Sequence, residues 1–429
     1  MWPVTAVAAA TCAGMIACVL TGAEIKKLHI PLYILVTLAG AVIMLVFGFL
    51  PAGEALRQFT ADTAVNPLKI LALFLCITML SVFLDETGFF QYMASVALKK
   101  AGNSQIKLFV VLYVVVSVLT MFTSNDIIIL TFTPFICYFC RAAKIQPLPF
   151  LMAEFVAANT FSMMLLIGNP TNIYLSLSEG ITFGEYLKNM WLATLLAGVA
   201  AFFVMFAIFY KKLKVKIECG GEEIARLDKP LAVIGGIHLA GCTVMLAVSD
   251  IIGAEMWIIA LAFAACLFLT VGIYKAVRRE HFTQLALTLK RAPWSFVPFL
   301  LSMFIIVAAL EYNGVTAALA KILGGGSPVP IYGALSALAC NLVNNIPMSV
   351  LFGSVLSFAE VPASAAYACI IGSNIGAYFT PVGALAGIMF GNILKGQGVK
   401  LGFGKFVMYG TVVALPALAA ALSGLALIC

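Results

Sequence analysis

Apolar stretches of about twenty residues recur along this chain, separated by short polar runs, and most of them carry no consistently polar face. A helix needs about 20 such residues to cross about 30 Å of hydrocarbon. Membrane strands would instead alternate apolar and polar side chains. The pattern therefore predicts an all-α polytopic membrane protein. Crossings are expected at 2–20, 30–50, 69–84, 149–174 and 191–210 in the first half, and at 230–249, 257–274, 294–310, 365–390 and 406–428 in the second. The stretch 2–20 lacks a basic leader and reads as a first crossing rather than a cleaved signal. The polar run 211–229, KKLKVKIECGGEEIARLDK, is the longest soluble connector and divides the chain nearly in half.

Basic residues orient the crossings, because loops rich in Lys and Arg stay in the cytoplasm. That assigns Lys26, Lys27, Lys99, Lys100, Lys107, Arg141, Lys144 and the runs 211–216, 275–291 and 395–405 to the cytoplasm, with 250–255 and Glu360 outside. Both ends of the stretch at about 105–141 then face the cytoplasm. It is expected to be a re-entrant helical hairpin, with TSND (123–126) at its tip. A second hairpin, about 329–358, enters from outside with VNNIP (343–347) at its tip. Each half holds five crossings and one hairpin. Five is odd, so the halves insert in opposite senses: a first inverted repeat at 1–210, a cytoplasmic linker at 211–229 and a second repeat at 230–429. FLDETGFFQYMASVALKKAG and ALEYNGVTAALAKILGGG, each closing the third crossing of its half, support a duplication. Inverted repeats with paired broken helices characterise secondary transporters, whose site lies at the repeat interface near the midplane.

Composition narrows the alternatives. The chain is 63% hydrophobic and 10% charged, against about 25% charged in soluble domains. Its net charge of +7 comes from cations clustered in short loops, which suits an anionic leaflet and excludes a nucleic-acid partner. The eleven cysteines lie mostly in apolar segments and form neither a disulfide framework nor a zinc spacing. Cys137 and Cys140 could hold a soft metal, but buried thiols usually serve as small hydrophobes. No nucleophile–base pair, metal-ligand cluster or nucleotide loop is visible, so neither an enzyme nor an ATP-driven pump is expected, and no bound metal.

Four polar interruptions carry the candidate chemistry. At the first tip, Ser124 and Asn125 suit the start of a helix near Ile127. Its free N–H groups favour an anion. Asp126 repels an anion unless it is protonated or paired with Na⁺, so its place at the tip predicts coupling of substrate to a cation. A bare capping role is the plainer alternative. At the second tip, Asn344 and Asn345 precede Pro347, and Asn345 is expected to cap a helix whose first turn holds Pro347. The third interruption, IGNPTNIYLS, offers Gly168, Asn169, Pro170, Thr171 and Asn172: a helix break with freed carbonyls and side-chain oxygens for a hard cation. The fourth, GSNIGAYFTPVGALAG, offers Ser373, Asn374, Thr380, Pro381 and Gly383. Na⁺ is expected, if anywhere, at Ser124, Asn125, Asn169 and Asn172. Glu154, about two turns inside its crossing, reads equally as a proton relay or a snorkelling interface residue. Asp85, Glu86 and Glu311 read as helix ends, and His238 as a hydrogen-bonded packing residue.

SND followed by GNPTN, and NNIP followed by FTPVG, resemble the ion transporter superfamily, which includes arsenite permeases, citrate and divalent-anion symporters and some sodium/proton antiporters. FLDETGFF (83–90), RAPWSFVPF (291–299), NNIPMSVLFG (344–353) and IIGSNIGAYFTPVGALA (370–386) most resemble the bacterial arsenite efflux permeases, over nearly the whole chain. SND and GNPTN are also similar to the tip signatures of the divalent-anion/sodium symporters. The chain departs from the arsenite permeases at Asn159 and Asn374, amides near positions where that family carries acids. The resemblance implies an elevator-like or rocking carrier in a bacterial inner membrane, often a homodimer, with one central site. Together the readings predict a secondary transporter of a small anion or metalloid oxyanion, coupled to H⁺ or Na⁺. Na⁺-coupled dicarboxylate or citrate symport, sodium/proton antiport and, from another class, an ion channel are the alternatives.

Overall fold

A computed structural model describes residues 1–21, 23–25, 30–217, 226–324 and 326–429. Lys26 and Lys27, and residues 218–225 of the expected linker, lie outside the described residues. Apart from a two-residue antiparallel ladder, Glu24–Ile25 against Ile30–Pro31, the regular structure described is helical.

The first half runs α1 (Trp2–Thr21), α2 (Leu32–Val46), α3 (Ala52–Thr60), α4 (Pro67–Glu86), α5 (Phe89–Ala101), α6 (Gln105–Phe122), α7 (Asn125–Ala142), α8 (Leu148–Phe161), α9 (Pro170–Ser178) and α10 (Phe183–Leu213). The second runs α11 (Lys229–Ala247), a short α12 (Ser249–Ile252), α13 (Met256–Arg278), α14 (Thr283–Arg291), α15 (Phe296–Tyr312), α16 (Val315–Leu323), α17 (Pro328–Val343), α18 (Asn345–Phe358), α19 (Ser364–Gly376), α20 (Leu385–Gly396) and α21 (Phe403–Ala426). Setting α12 aside, the two orders match element for element, from α1 with α11 to α10 with α21. The packing matches too. Helix α4 lies on α13 as α2 lies on α15, and α7 lies on α20 as α18 lies on α9. Each hairpin's second arm thus rests on the far piece of the other half's broken span.

Local chemistry explains where these helices begin and end. Asn66 caps α4 by accepting from the Leu68 amide at 2.8 Å, and Thr182 with Glu185 forms a reciprocal capping box on α10. Both third crossings turn through a left-handed glycine, Gly88 (φ 82°) and Gly314 (φ 73°), a conformation that costs other residues a Cβ clash. Valines 110, 114 and 118 of α6 are exposed at a four-residue spacing, as a lipid-facing stripe requires. By contrast α8 is buried from Pro149 to Phe161 and α19 from Ala365 to Gly376, which makes them the centre of the molecule.

The structure corrects several boundaries. The crossing expected at 30–50 stops at Val46, and 52–60 forms the separate helix α3. The basic stretch 275–291, read as a loop, contains α14. Nine-residue helices with one polar face do not stand out in a search for long apolar runs. Each interrupted crossing is two helices with an irregular join.

Loops sort into two sets by their mutual contacts. One set joins Thr87 O to the Asp228 amide (3.0 Å), Asn103 O to the Ile217 amide (3.0 Å), Arg291 to Asp85 (2.7 Å) and to Glu86, and Arg141 to the Gln397 carbonyl (2.6 Å). The other joins Asn313 to the Phe49 carbonyl (2.7 Å), Lys69 to Glu255 (2.6 Å) and to Asp62, and Asn189 to Tyr367 (3.0 Å). The first set joins ends that the basic residues assign to the cytoplasm, and the second includes Glu255, assigned outside.

Candidate functional site

The tip of the first hairpin meets the middle of the most buried helix. Ser124 is the N-cap of α7; its Oγ and the Asn125 Oδ1 both accept from the Asp126 amide, at 3.2 and 3.0 Å. Asn125, 2% exposed, donates through Nδ2 to Asn159 Oδ1 of α8 at 3.0 Å. Asn159 in turn donates to the Phe155 carbonyl one turn back at 2.8 Å, which fixes its amide orientation. Asp126 is partly exposed, and among the described residues its carboxylate accepts no hydrogen bond and joins no ion pair.

After Phe161 the chain leaves the helix, passes a short 3₁₀ turn at Leu166–Gly168 and restarts as α9. Pro170 occupies the first turn of α9, where its missing N–H is harmless, and Asn169 caps it by accepting from the Thr171 amide at 3.2 Å. Gly168 is required here because a Cβ would collide with the Ser162 carbonyl. Asn172 donates to the carbonyls of Ser162 (2.9 Å) and Leu165 (3.3 Å), closing the break on itself.

Asn374 of α19 ties this break to the other half. Its Oδ1 accepts from Ser162 Oγ and from Asn169 Nδ2, each at 3.0 Å, and its Nδ2 donates to Asn172 Oδ1 and to the Ile370 carbonyl, each at 2.8 Å. Asn159, Asn172 and Asn374 have no exposed surface at all. Thr160 and Tyr378 join hydroxyl to hydroxyl a turn away, again across the two halves.

The second tip differs from the reading above in one respect. The cap is Asn344 rather than Asn345: α18 begins at Asn345, and Asn344 adopts φ +73°. At ψ 156° this backbone lies in a region that residues with a Cβ adopt rarely, so the turn into the helix is strained at Asn344. Asn344 Nδ2 donates to the Val382 carbonyl at 3.0 Å, which ties this tip to the second break. In that break Thr380 donates to Asn341 Oδ1 at 2.6 Å, and Asn341 donates to the Gly376 carbonyl at 2.8 Å. Asn345 Oδ1 and Ser373 Oγ are buried without a partner. No hydrogen bond joins Asn125 to Asn345. Pro381 and Val382 line a cavity of about 550 Å³, whose rim carries Lys395 and Lys400.

Ser124, Asn125, Asn169, Asn172 and Asn374 are thus brought into one continuous set of contacts. Asn344, Thr380, Pro381 and Gly383 belong to a second set around the other break, and Thr171 contributes chiefly as part of α9. Asn159, Ser162 and Asn341 were missed as site residues. One signal was available for the first: Asn159 precedes Gly168 by nine residues, as Asn374 precedes Gly383. Glu154 is fully buried and bonded to Thr133, which rules out snorkelling. Asp85 and Glu86 end α4 in an ion pair with Arg291, and His238 Nδ1 lies 2.8 Å from the Ile234 carbonyl, as a packing residue should.

Comparison with known proteins agrees with this architecture. An arsenical pump membrane protein of Escherichia coli is 27% identical over 379 residues, covering 83% of this chain and 85% of that one. An uncharacterized transporter of Mycobacterium tuberculosis is 24% identical over 409 residues, covering 90% and 91%. The solved YdaH transporter of Alcanivorax borkumensis shares the fold, with a TM-score of 0.59 over 92% of this chain and 96% of that one at 12% identity. The profile of the CitMHS family, described as citrate transporter, matches residues 16–364. A match over that much of the chain, on a polytopic helical fold with two broken spans, means that this protein belongs to the citrate transporter family and is a membrane transporter.

Proposed function

We propose that the protein is a secondary active carrier for a small anion or metalloid oxyanion, with arsenite-type efflux as the preferred activity and H⁺ as the coupling ion. The observation that carries this reading is the set of buried amides centred on Asn374, next to a hairpin tip whose one acid, Asp126, has no partner. Amides and helix N-termini suit a small hydroxylated or singly charged species. Among the described residues no Lys or Arg is bonded into this set, which a multiply charged carboxylate would favour. Asp126, partly exposed and unbonded at the first tip, is a carboxyl group free to take up a proton, which supports H⁺ as the coupling ion. The sorting of loops into two sets supports oppositely inserted halves. The name carried by the Escherichia coli relative supports the cargo class.

Na⁺-coupled citrate or dicarboxylate symport is the second reading, favoured by the description of the matching family. In it, Na⁺ and the two helix N-termini together would offset the cargo's charge. Flux into proteoliposomes of purified protein decides between them, with arsenite, citrate and succinate offered under separate pH and Na⁺ gradients. Arsenite movement driven by the pH gradient is expected. Citrate or succinate uptake that needs Na⁺ would establish the second reading, and single-channel conductance far above carrier turnover would replace both.

A further inference from the structure

Glu154 is a fully buried carboxyl group that the cargo site does not use. It lies near the start of α8 against Thr133 of α7, whose Oγ1 is 2.8 Å from Oε1 and 3.0 Å from Oε2 and whose backbone also faces the carboxyl group. Among the described residues no Lys, Arg or His forms an ion pair with it. The titratable neighbours can be named element by element. From α7, Cys137 feels its charge, with Arg141 beyond. The charged groups of the other packed elements lie at their ends: Lys107 on α6, Lys211 and Lys212 on α10, Lys395 on α20 and Lys405 on α21. None of these is joined to Glu154 by a hydrogen bond or ion pair among the described residues.

A hydroxyl has one proton to give. If Glu154 is ionised, Thr133 is the one residue seen to donate to it and no bonded cation offsets its charge. If Glu154 is neutral, its O–H donates to Thr133 Oγ1 while Thr133 donates to the other oxygen, and both contacts are hydrogen bonds. Full burial with no cation bonded beside it favours the acid, while the donors of Thr133 work the other way.

The position links this proton to the cargo tip. Thr133 and Asp126 are on one helix, seven residues and about 10 Å apart along its axis. Pro134 follows Thr133 inside α7, removing one backbone bond at the point where the hydroxyl is held. Phe155, the next residue after Glu154, packs on Phe390 (4.9 Å) and Phe406 (5.2 Å), both of which line the cavity of about 550 Å³. One aromatic layer therefore separates α8 from that cavity.

We propose that Glu154 is a proton-binding site of the transport cycle, neutral while it is enclosed against α7 and ionised when movement of α7 admits water to it. The O–H bond of Glu154 then breaks, the proton passes to water in the cavity and the carboxylate stays behind until it is reprotonated. This rests on the carrier reading above, but its first test does not need the cargo.

Infrared difference spectra of the purified full-length protein, titrated with acid and base, read the group directly. The expected result is a carbonyl-stretch band of a buried carboxylic acid at neutral pH that E154Q lacks, and that moves to a higher midpoint in T133V but not in T133S, because the lost hydroxyl is a donor to the carboxylate. A wild-type spectrum without that band, or a band unchanged in E154Q, would overturn the assignment. The second readout is flux in proteoliposomes. Wild type should change by about tenfold per pH unit over part of its range, and E154Q should retain exchange of cargo with a profile nearly flat. An E154Q profile with the wild-type slope would overturn the role in coupling. If no offered cargo moves, the function reading fails while the infrared result still stands or falls alone.

Discussion

The two broken spans are built on one pattern and end in different states. In the first, residues 162–169, each side-chain amide is engaged, and the decisive partner, Asn374, comes from the other half of the chain. In the second, residues 377–384, the supports are Asn341 and Asn344 from its own hairpin, two residues face a cavity, and Asn345 Oδ1 and Ser373 Oγ lack partners. A buried, fully bonded polar network resists rearrangement, whereas unpaired buried groups await a ligand or a movement. Thr120 Oγ1 and Ser176 Oγ also lack partners on the first side, but outside the break itself; the contrast supports the proposal that the first break is the fixed floor of the site and the second the part that opens to cargo.

The largest effect should come from breaking the fixed side. Asn374→Ala strands Asn169 Nδ2, at a cost of about 1–3 kcal/mol, and takes one partner each from Ser162 Oγ and Asn172 Oδ1, which keep the Asn159 carbonyl and Thr171. Gradient-driven flux should fall by about 100-fold or more, with a lower melting temperature in nanodiscs. Asn341→Ala at the second break should cost clearly less in stability. Equal losses would erase the distinction between the two breaks.

Asp126→Asn comes next. The protein should insert and fold, since the carboxylate makes no hydrogen bond, while accumulation against a gradient is lost and cargo exchange survives. Full gradient-driven flux would deny Asp126 a part in coupling. A smaller change is expected from Asn345→Asp, which puts a negative charge where an unpaired oxygen already faces the interior. Affinity for an anionic cargo should weaken by about tenfold, measured as KM for flux, and an unchanged KM would remove this tip from the contact surface.

The smallest effect lies at the opposite end of α4 from Arg291. Lys69 binds Asp62 and Glu255, and its hydrogen bonds hold both carboxyl groups below their ordinary values of 3.8 and 4.5. Depressed carboxyl groups stabilise the fold fully above their ordinary values and stop doing so as pH falls through the depressed ones. Asp62 is fully exposed, so the contribution is slight. Lys69→Met should remove only the part of acid destabilisation below about pH 4, seen as a shallower fall of melting temperature with pH.

Much of this was legible in the sequence. Hairpins at 105–141 and 329–358 match the helical arms to within a residue at each end, because a polar tip flanked by apolar runs marks a reversal. GNPTN and FTPVG marked the breaks because Gly and Pro, each a poor helix former, stand close together there. Partners were not legible. That Asn374 bonds to the first break rather than the second depends on how two halves meet, and no local spacing encodes it. Thr133 and Glu154 are 21 residues apart on different helices, so the carboxyl group was visible and its environment was not. The cap at the second tip was misplaced by one residue because propensity does not separate Asn344 from Asn345, whereas the turn geometry does.

The central claim is that the second tip belongs to a cargo pocket reached in turn from each side of the membrane. Asn345→Cys, in a protein whose eleven native cysteines are replaced, tests it with a membrane-impermeant thiol reagent applied to right-side-out and inside-out vesicles. The account predicts labelling from both sides, slowed by transported cargo. Labelling from one side only, at a rate that cargo leaves unchanged, would contradict it.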